Sequence, residues 1–368
     1  MYNETQADSG GPGEVQGAVL QPPRTPQVSA QKTRQILCVM RMPPDLDGHG
    51  GSQRAWRLVE ALRPHGKVHF VLVYRSQDDD CVYTSLAPLE PLVESITRIN
   101  VAGWQGTLKR PFGFIPAKLC DLYNMRSHEA PQLSHAELAG IAERLPLRNP
   151  DIVFAGRLCS AVIMQSLMDR GLLSSTLRLV DFDDIMSKFR MRQARSSGST
   201  MNFFRRAHAR VDGRIIARAE KQMARSWHGV SVCTDEDVAS LRAAHPDATV
   251  IKIPNVVCRD FLPPRVRDGE FRLLFAGNLS FSANTEGLRV FVEHGWPQLL
   301  RLVPEAKLTV VGLNPSTEVV DLATAHGFPL HANVPSLQPF YADCDVVIAP
   351  ILFGSGTRIK ILEAMAYG

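Results

Sequence analysis

The sequence contains no apolar run that approaches the roughly 18 residues needed to span a membrane. Its N-terminus also lacks the order of charged, apolar and small residues that marks a secretory signal. We therefore expect the protein to be cytoplasmic. A net charge of +4 is too small to indicate nucleic-acid binding by itself, so we expect no nucleic-acid partner.

Cysteine is scarce and scattered, and no two cysteines form a C-x-x-C pair. The seven are Cys38, Cys81, Cys120, Cys159, Cys233, Cys258 and Cys344. An odd number without paired spacing argues against a disulfide framework and against a zinc site.

The chain has 368 residues, of which 45% are hydrophobic, and this is enough for two cored domains. Residues 1–33 are rich in Gly, Pro, Gln, Ser and Thr, and we expect a disordered leader there. After it, short β-branched runs alternate with amphipathic segments. The strands predicted for the first half are 35–40, 68–74, 95–101, 151–156, 177–182 and 229–234, and the stretch 249–255 comes after them. Continuous apolar strands separated by helices indicate a parallel sheet that is covered on both faces.

A segment with Pro-Pro and several charges follows, which is typical of an interdomain linker. The second series of predicted strands is 271–277, 306–312, 329–334 and 345–351. The predicted fold is therefore α/β, with two doubly wound, Rossmann-like domains that face a cleft. We place an N-terminal domain at 34–257, a linker at 258–270 and a partial C-terminal domain at 271–368. Ligands of such sheets bind beyond the carboxyl ends of the strands.

Glycines follow two of these strands just before a predicted helix. Gly48, Gly50 and Gly51 follow the first strand, where they allow close backbone approach and the helix start favours an anion. An ordinary flexible loop is the alternative, and the spacing does not fit a dinucleotide fingerprint. Gly277 ends the first strand of the second half, and neutral side chains surround the next helix start. They are Asn278, Ser280, Ser282 and Asn284, more than a simple helix cap requires.

The last stretch, "FGSGTRIKILEAMAYG", joins a predicted buried strand to a helix. Its polar residues are Gly354, Ser355, Gly356, Thr357, Arg358 and Lys360. Backbone N–H groups and hydroxyls of such a turn bind phosphate, and the two cations neutralise it. The alternative is that Lys360 and Glu363 form only a surface pair.

The stretch "GSGTRIKILEAMAYG" resembles the donor-binding signature of glycosyltransferase family 4, whose members are retaining enzymes of the GT-B fold. The resemblance covers roughly residues 35–368 and is closest to the sugar transferases of bacterial exopolysaccharide clusters, which carry a segment similar to "LVDFDDIMSKF". It implies that Glu363 holds the donor ribose, that Gly354 to Thr357 contact the diphosphate, and that Asn333 and Val334 lie beside the base. It also implies a nucleotide-diphosphate sugar as substrate and no cofactor.

The sequence departs from the family pattern at several positions. Ser355 stands where the family often has a glutamate, and Asn278 and Asn284 stand where many members have Arg and Lys. Arg358 and Lys360 are the available replacements. The N-domain histidine of many members has no clear counterpart. The second half has four predicted strands where family members continue, so we expect a truncated copy.

The segment "DFDD" follows the strand at 177–182, and Asp181 and Asp183 are our candidate catalytic residues. Two alternatives remain for this segment. One is a D-x-D metal motif of the other main glycosyltransferase fold, which the C-terminal signature disfavours. The other is helix capping. We predict no metal site.

Residues 188–225 contain eleven Lys or Arg and two acids, a local net charge of +9. Such a segment suits an anionic membrane surface. A solvated helical face is the alternative. RNA binding is a poorer explanation, because no motif of stacking aromatic residues accompanies the charge.

The resemblance implies a retaining glycosyltransferase that moves a sugar from a nucleotide-diphosphate sugar to a glycan or lipid-linked acceptor in exopolysaccharide or cell-envelope synthesis. The predicted location is cytoplasmic, on the inner face of the plasma membrane. The alternatives are a sugar-nucleotide epimerase of the same fold and a non-catalytic nucleotide-sugar-binding homologue.

Overall fold

The computed structural model describes residues 33–46, 48, 50–75, 85–101, 127–195, 203–263, 265–266, 268–354 and 356–368. The predicted leader, except Thr33, lies outside these residues, as do Cys81, Cys120, Ser355 and residues 196–202 of the basic segment. Each predicted strand of the two series is present, with bounds that shift by a few residues at most.

Within the described residues, the first sheet has seven parallel strands in the order β3-β2-β1-β4-β5-β6-β7. They are β1 Gln35–Met40, β2 Lys67–Tyr74, β3 Ser95–Asn100, β4 Ile152–Gly156, β5 Leu177–Asp183, β6 Gly229–Val232 and β7 Val250–Lys252. Its helices are α1 Gly50–Leu62, α2 His135–Arg144, α3 Leu158–Met168, α4 Met186–Arg195, α5 Phe203–Ser226 and α6 Asp235–Ala244. Strand reversal on either side of β1 is the topology of a doubly wound domain.

In the part of the chain that the structure describes, the second sheet has four parallel strands in the order β10-β9-β8-β11. They are β8 Phe271–Asn278, β9 Ala306–Leu313, β10 Leu330–Ala332 and β11 Val346–Val347. Its helices are α7 Ser282–Val290, α8 Trp296–Leu302, α9 Thr317–His326, α10 Gln338–Ala342 and α11 Ile359–Tyr367. The predicted fold class of two parallel-sheet α/β domains is confirmed. The domain boundaries and the truncation stay predictions.

Side chains of β1 show why the sheet is covered on both faces. Ile36, Cys38 and Met40 pack in one apolar cluster, and Leu37 and Val39 pack in another. Successive side chains of a strand point to opposite faces, so two separate clusters mean two covered faces. Each fully buried side chain of this kind contributes about 1.5–3 kcal/mol to stability.

Local signals in the sequence fix the ends of several helices. Ser134 and Glu137 form a reciprocal capping box at the start of α2, and Thr234 accepts a hydrogen bond from the Asp237 amide at the start of α6. Helix α1 places Ala55, Leu58 and Val59 on its buried stripe. Among the helices that the structure describes, none is long and apolar enough to cross a membrane.

Candidate functional site

The helix starts of α1 and α11 meet the strand ends of β5 and β8, so loops from both domains come together. A Cβ atom at Gly50 would lie 2.3 Å from Ile359 Cγ1. A Cβ atom at Gly356 would lie 1.4 Å from Asp184 Oδ1. The structure therefore brings the glycine loop after β1, the "DFDD" segment and the C-terminal turn to one place.

The turn before α11 depends on glycine for its shape. Gly356 has φ of 69°, in the left-handed region, and the Asp184 carboxylate occupies the space that a side chain would need. Arg358 is the N-cap residue of α11. The amide groups at the start of this helix are the ones that a bound anion would accept from.

Lys360 lies beside the end of β8. Its neighbours there are Gly277, Asn278 and Asn284, which the sequence predicts as donor-binding residues. Its Nζ donates to Asn284 Oδ1 at 2.9 Å and lies 4.4 Å from the centre of the Phe275 ring. Asn284 in turn donates to the Asn278 carbonyl at 2.8 Å, and a Cβ atom at Gly277 would lie 3.1 Å from Lys360 Nζ. Burial, and secondly the Arg358 charge, lower the pKa of Lys360 to about 8. A desolvated cation next to a helix start is suited to binding phosphate.

Glu363 is buried and bonds to groups from three parts of the chain. Its Oε1 accepts from Gln53 Nε2 of α1 at 2.9 Å, and its Oε2 accepts from the Tyr341 hydroxyl at 3.3 Å. Arg259 NH2 lies 3.5 Å from Oε1. These contacts do not fit the alternative of a surface pair between Lys360 and Glu363.

A cavity of about 330 Å³ opens beside Glu363. Its lining residues are Cys258, Arg259, Asp260, Ser336, Leu337, Gln338, Glu363 and Tyr367. Asn333 and Val334 closely precede Ser336, Leu337 and Gln338 in the sequence, and these three residues line the cavity. Asn333 itself accepts from the Asn314 amide at 2.8 Å and holds that loop, while Val334 packs in the apolar cluster of Tyr341 and Tyr367.

Both predicted catalytic aspartates are buried, and guanidinium groups hold them. Asp181 accepts from Arg54 Nε and NH2 at 2.8 and 2.6 Å, and from Ser231 Oγ at 2.6 Å. Asp183 lies 2.8 Å from Arg157 NH2 and 3.5 Å from Arg54 Nε. Asp181 and Asp183 both line a small cavity that also includes Gly51, and both oxygens of Asp181 accept hydrogen bonds from protein groups.

Asp184 was not among the predicted site residues, although it belongs to the quoted segment. Burial, with the Asp183 charge beside it, raises the pKa of Asp184 to about 7, and the charges of Arg157 and Arg358 act in the opposite direction. Cys233 Sγ donates to Asp184 Oδ1 at 3.6 Å. Among the described residues, Asp183, Asp184 and Cys233 have oxygen and sulphur atoms close enough to share one cation. Arg157 pairs with Asp183 at 2.8 Å, and its charge lowers the pKa of Asp184 against the effect of burial.

The sequence analysis did not predict the residues that bind the candidate carboxylates Asp181, Asp183 and Glu363. Gln53 and Arg54 stand one turn into α1, directly after the glycine loop, and that position was the available signal. Arg157 follows β4 at a strand end with φ of 75°. Arg259 lies in the segment predicted as a linker and gave no signal.

Comparison with known proteins gives a family match in one part of the chain. The family model described as "Glycosyl transferases group 1" matches residues 270–368, which include Lys360, Glu363 and the turn before them. No curated protein matches the chain.

Solved structures resemble the chain over most of its length. A point mutant of S. aureus TarM, in complex with fondaparinux, alpha-GlcNAc-glycerol and UDP, has a TM-score of 0.54 and 10% identity, covering 90% of this chain and 84% of that one. An E. coli trehalose-6-phosphate structure bound with UDP-2-fluoro glucose has a TM-score of 0.53 and 11% identity, covering 90% and 81%. The Candida albicans trehalose-6-phosphate phosphatase N-terminal domain has a TM-score of 0.52 and 12% identity, covering 92% and 81%. The fold is GT-B. At these identities the GT-B likeness concerns the fold alone.

Proposed function

We propose that the protein is a retaining glycosyltransferase that uses a nucleotide-diphosphate sugar and a glycan or lipid-linked acceptor, in exopolysaccharide or cell-envelope synthesis. The observation that carries the proposal is the turn at 354–360. The family match includes it, and it presents a helix start, Arg358 and a desolvated Lys360 at one place between the two domains. Two structural neighbours were solved with UDP or a UDP-sugar, which makes UDP the first nucleotide to test.

In this proposal the turn stabilises the leaving diphosphate. Negative charge develops on the diphosphate as the sugar bond breaks, and fixed N–H groups with two cations stabilise it without reorganisation. The cavity beside Glu363 receives the nucleoside, whose ribose hydroxyls replace the Gln53 amide as partners of the Glu363 carboxylate. The acceptor attacks from the face that the diphosphate leaves, so no protein nucleophile is required.

The two predicted catalytic carboxylates have different parts in this proposal. Asp183 remains our candidate for the reaction, because its side chain is 9% exposed, against 4% for Asp181. We assign Asp181 to positioning, because it fixes Arg54, which in turn lies 3.5 Å from Asp183. Asp181 already accepts three hydrogen bonds, from two guanidinium nitrogens and a hydroxyl, which occupy most of the roughly four acceptor sites of a carboxylate.

Product analysis tests the proposed function. The full chain is incubated with UDP-, GDP-, ADP- and dTDP-sugars, with and without extracted glycan and lipid-linked acceptors, and products are separated by mass spectrometry. We expect an acceptor that is one sugar heavier, with the anomeric configuration of the donor. An altered free sugar nucleotide would show epimerisation instead. Calorimetric binding without any product would show a binding protein, and absence of binding to all four nucleotides would overturn the proposal.

We further propose that α5 places the enzyme on an anionic membrane leaflet, where a lipid-linked acceptor would be found. Its exposed face carries a stripe of cations that recur every three or four residues, here named the α5 stripe. The α5 stripe is Arg210, Arg214, Arg218, Lys221 and Arg225. The helix's two acids do not neutralise it, because Asp212 pairs with Arg190 and Glu220 bonds to Ser187, both in α4.

Reversing four charges of the α5 stripe, with Arg210, Arg214, Arg218 and Arg225 changed to Glu, is expected to release the protein from anionic vesicles. Each cation near such a surface contributes about 1 kcal/mol, so the loss should exceed a hundredfold in partitioning. Sedimentation with vesicles that contain phosphatidylglycerol measures it. The control reverses four exposed cations elsewhere, Arg63, Arg144, Arg170 and Arg301. Unchanged partitioning of the α5 variant, or an equal loss in the control, would remove the α5 stripe as a membrane surface.

A further inference from the structure

Helix α4 belongs to the N-terminal domain and is anchored there by one of its faces. Lys188 Nζ lies 2.8 Å from Asp237 Oδ1 of α6, and Arg190 Nε lies 2.8 Å from Asp212 Oδ2 of α5. The Ser187 amide donates to Glu220 Oε1 at 3.1 Å. Three contacts with two neighbouring helices fix the position of α4 on its own domain.

The other face of α4 reaches the C-terminal domain through residues 189, 192 and 193, which have the spacing of one helix face. The Phe189 ring stacks on Phe281 with a centroid distance of 5.3 Å and lies 5.8 Å from the Phe353 ring. Gln193 Nε2 donates to Ser282 Oγ at 3.0 Å. These partners belong to the loop after β8, to the start of α7 and to the stretch before the 354–360 turn, and the proposed donor diphosphate binds beside these segments.

Arg192 makes the contact that bears most directly on the turn. Its NH1 donates to the Gly354 carbonyl at 2.7 Å, and its NH2 donates to Glu236 Oε1 of α6 at 2.6 Å. The planar guanidinium is thus held by Glu236 on one side and holds the first carbonyl of the turn on the other. Because the Arg192 guanidinium is rigid and is held by Glu236, it fixes the position of the Gly354 carbonyl more narrowly than a flexible single donor would.

We propose that α4 is a strap across the domain interface and that Arg192 is a positioning residue, which acts through the Gly354 carbonyl to keep the donor turn in its binding conformation. The proposal rests on the proposed function for its purpose, since it assumes that the turn binds a diphosphate. Arg192 itself does not have to touch the donor. Fixing Gly354 sets the path of the chain into Gly356 and the start of α11, whose N–H groups would face the phosphates.

A purely structural contact would give a different pattern of results. Arg192 is half-exposed at the interface, and exposed ion pairs contribute little to global stability. A structural contact would therefore lower the melting temperature slightly and leave the turn unaffected. A positioning contact would loosen the turn and weaken nucleotide binding while the melting temperature hardly changes.

The experiment compares Arg192→Ala, Arg192→Lys and Glu236→Gln in the full chain, with Arg195→Ala as the matched control, because Arg195 is exposed at the end of the same helix. Hydrogen exchange of residues 356–362 is measured without ligand, and UDP affinity is measured by calorimetry. For Arg192→Ala we expect faster exchange of these amides and an affinity about tenfold lower, the effect of losing one charged hydrogen bond. Arg192→Lys should recover part of the loss, because a lysine reaches the carbonyl but cannot bridge to Glu236. Glu236→Gln should show a smaller change in the same direction.

The proposal that Arg192 positions the turn would be overturned by either of two results. One is that Arg192→Ala keeps the amide exchange and the UDP affinity of the unchanged protein. The other is that Arg195→Ala changes both as much as Arg192→Ala does. If the unchanged protein binds neither UDP nor the other nucleoside diphosphates, the proposed function fails. The exchange of residues 356–362 in the ligand-free variants still decides whether Arg192 holds the turn.

Discussion

Replacing Arg54 with methionine is expected to lower the free energy of unfolding by about 3–5 kcal/mol, the range found when one partner of a buried ion pair is removed. Arg54 and Asp181 are each 4% exposed at the side chain. Without the guanidinium, the Asp181 carboxylate would stay buried with only Ser231 as a donor. Equilibrium unfolding in urea, followed by circular dichroism, measures the change.

Arg57→Met is the matched control, since Arg57 stands one turn further along α1 and pairs with Glu60 at the surface. Exposed pairs of this kind contribute about 1 kcal/mol or less. A loss in Arg54→Met no larger than that of Arg57→Met would contradict the assignment of Arg54 as the anchor of this network.

The large effect expected of Arg54 follows from the number of elements that it joins. Besides Asp181 of β5, its NH1 donates to the Ile253 carbonyl at 2.8 Å and to Asn255 Oδ1 at 3.0 Å. One side chain of α1 thus ties the centre of the sheet to the segment after β7. Asn255 is also 3.4 Å from Asp183, so loss of Arg54 should disturb the candidate catalytic carboxylate as well.

The strands could be predicted because the information for them is local. Runs such as 35–40 and 271–277 are continuously apolar, and a strand that is buried on both faces requires that composition. The glycine turns were recognisable for the same reason, since a glycine followed by a helix start is a short-range pattern. The two domains and their sheets follow from these local patterns.

The partners within the site could not be predicted, because they depend on how distant segments meet. Gln53 and Glu363 are 310 positions apart, and Arg54 and Asp181 are 127 apart. Nothing in the residues between them encodes these distances. Glu363 was therefore found by its motif and Asp181 by its segment, whereas the Gln53 amide and the Arg54 guanidinium that bind them were not.

The orientation of the "DFDD" segment shows a second limit. Strict alternation along a strand would place Asp181 and Asp183 on one face and Asp184 on the other. The pairing of β5 with β6 shifts register between Asp181 and Asp183, and Asp183 has φ of 60°. A bulge of this kind turns the following side chain in a direction that periodicity does not give. Asp184 consequently meets Gly356 at the domain interface.

The affinity for a nucleoside diphosphate is expected to depend on the protonation of Lys360. At pH 7 the Lys360 ammonium is charged, since its pKa is about 8, and it attracts the diphosphate. As the pH rises through 8, Lys360 loses its charge and the attraction falls. Lys360→Met should bind UDP about tenfold to thirtyfold more weakly at pH 7, as expected for loss of a charged hydrogen bond at a desolvated site. Near pH 10 the unchanged protein and the variant should bind UDP almost equally.

Using the ratio of the two affinities removes the titration of the ligand itself, which is the same for both proteins. Lys252→Met, which removes an exposed lysine that pairs with Asp235, is the control and should keep a ratio near one at every pH. A ratio between the unchanged protein and Lys360→Met that stays constant from pH 7 to pH 10 would refute the assignment of Lys360 to the phosphate site.

The same lysine should lower the stability of the folded protein, which separates its functional role from a structural one. Burial depresses the pKa of Lys360 from 10.5 to about 8, so the charged form is less favourable in the folded than in the unfolded state. The stability of the unchanged protein should therefore rise between pH 8 and 10.5, as Lys360 becomes neutral in the folded state first. Lys360→Met should be more stable than the unchanged protein at pH 7, by about 1–3 kcal/mol, and the difference should shrink over that pH range. If Lys360 is kept buried for binding, Lys360→Met folds more stably but binds diphosphate less well. If Lys360→Met instead loses both stability and affinity, Lys360 mainly supports the fold.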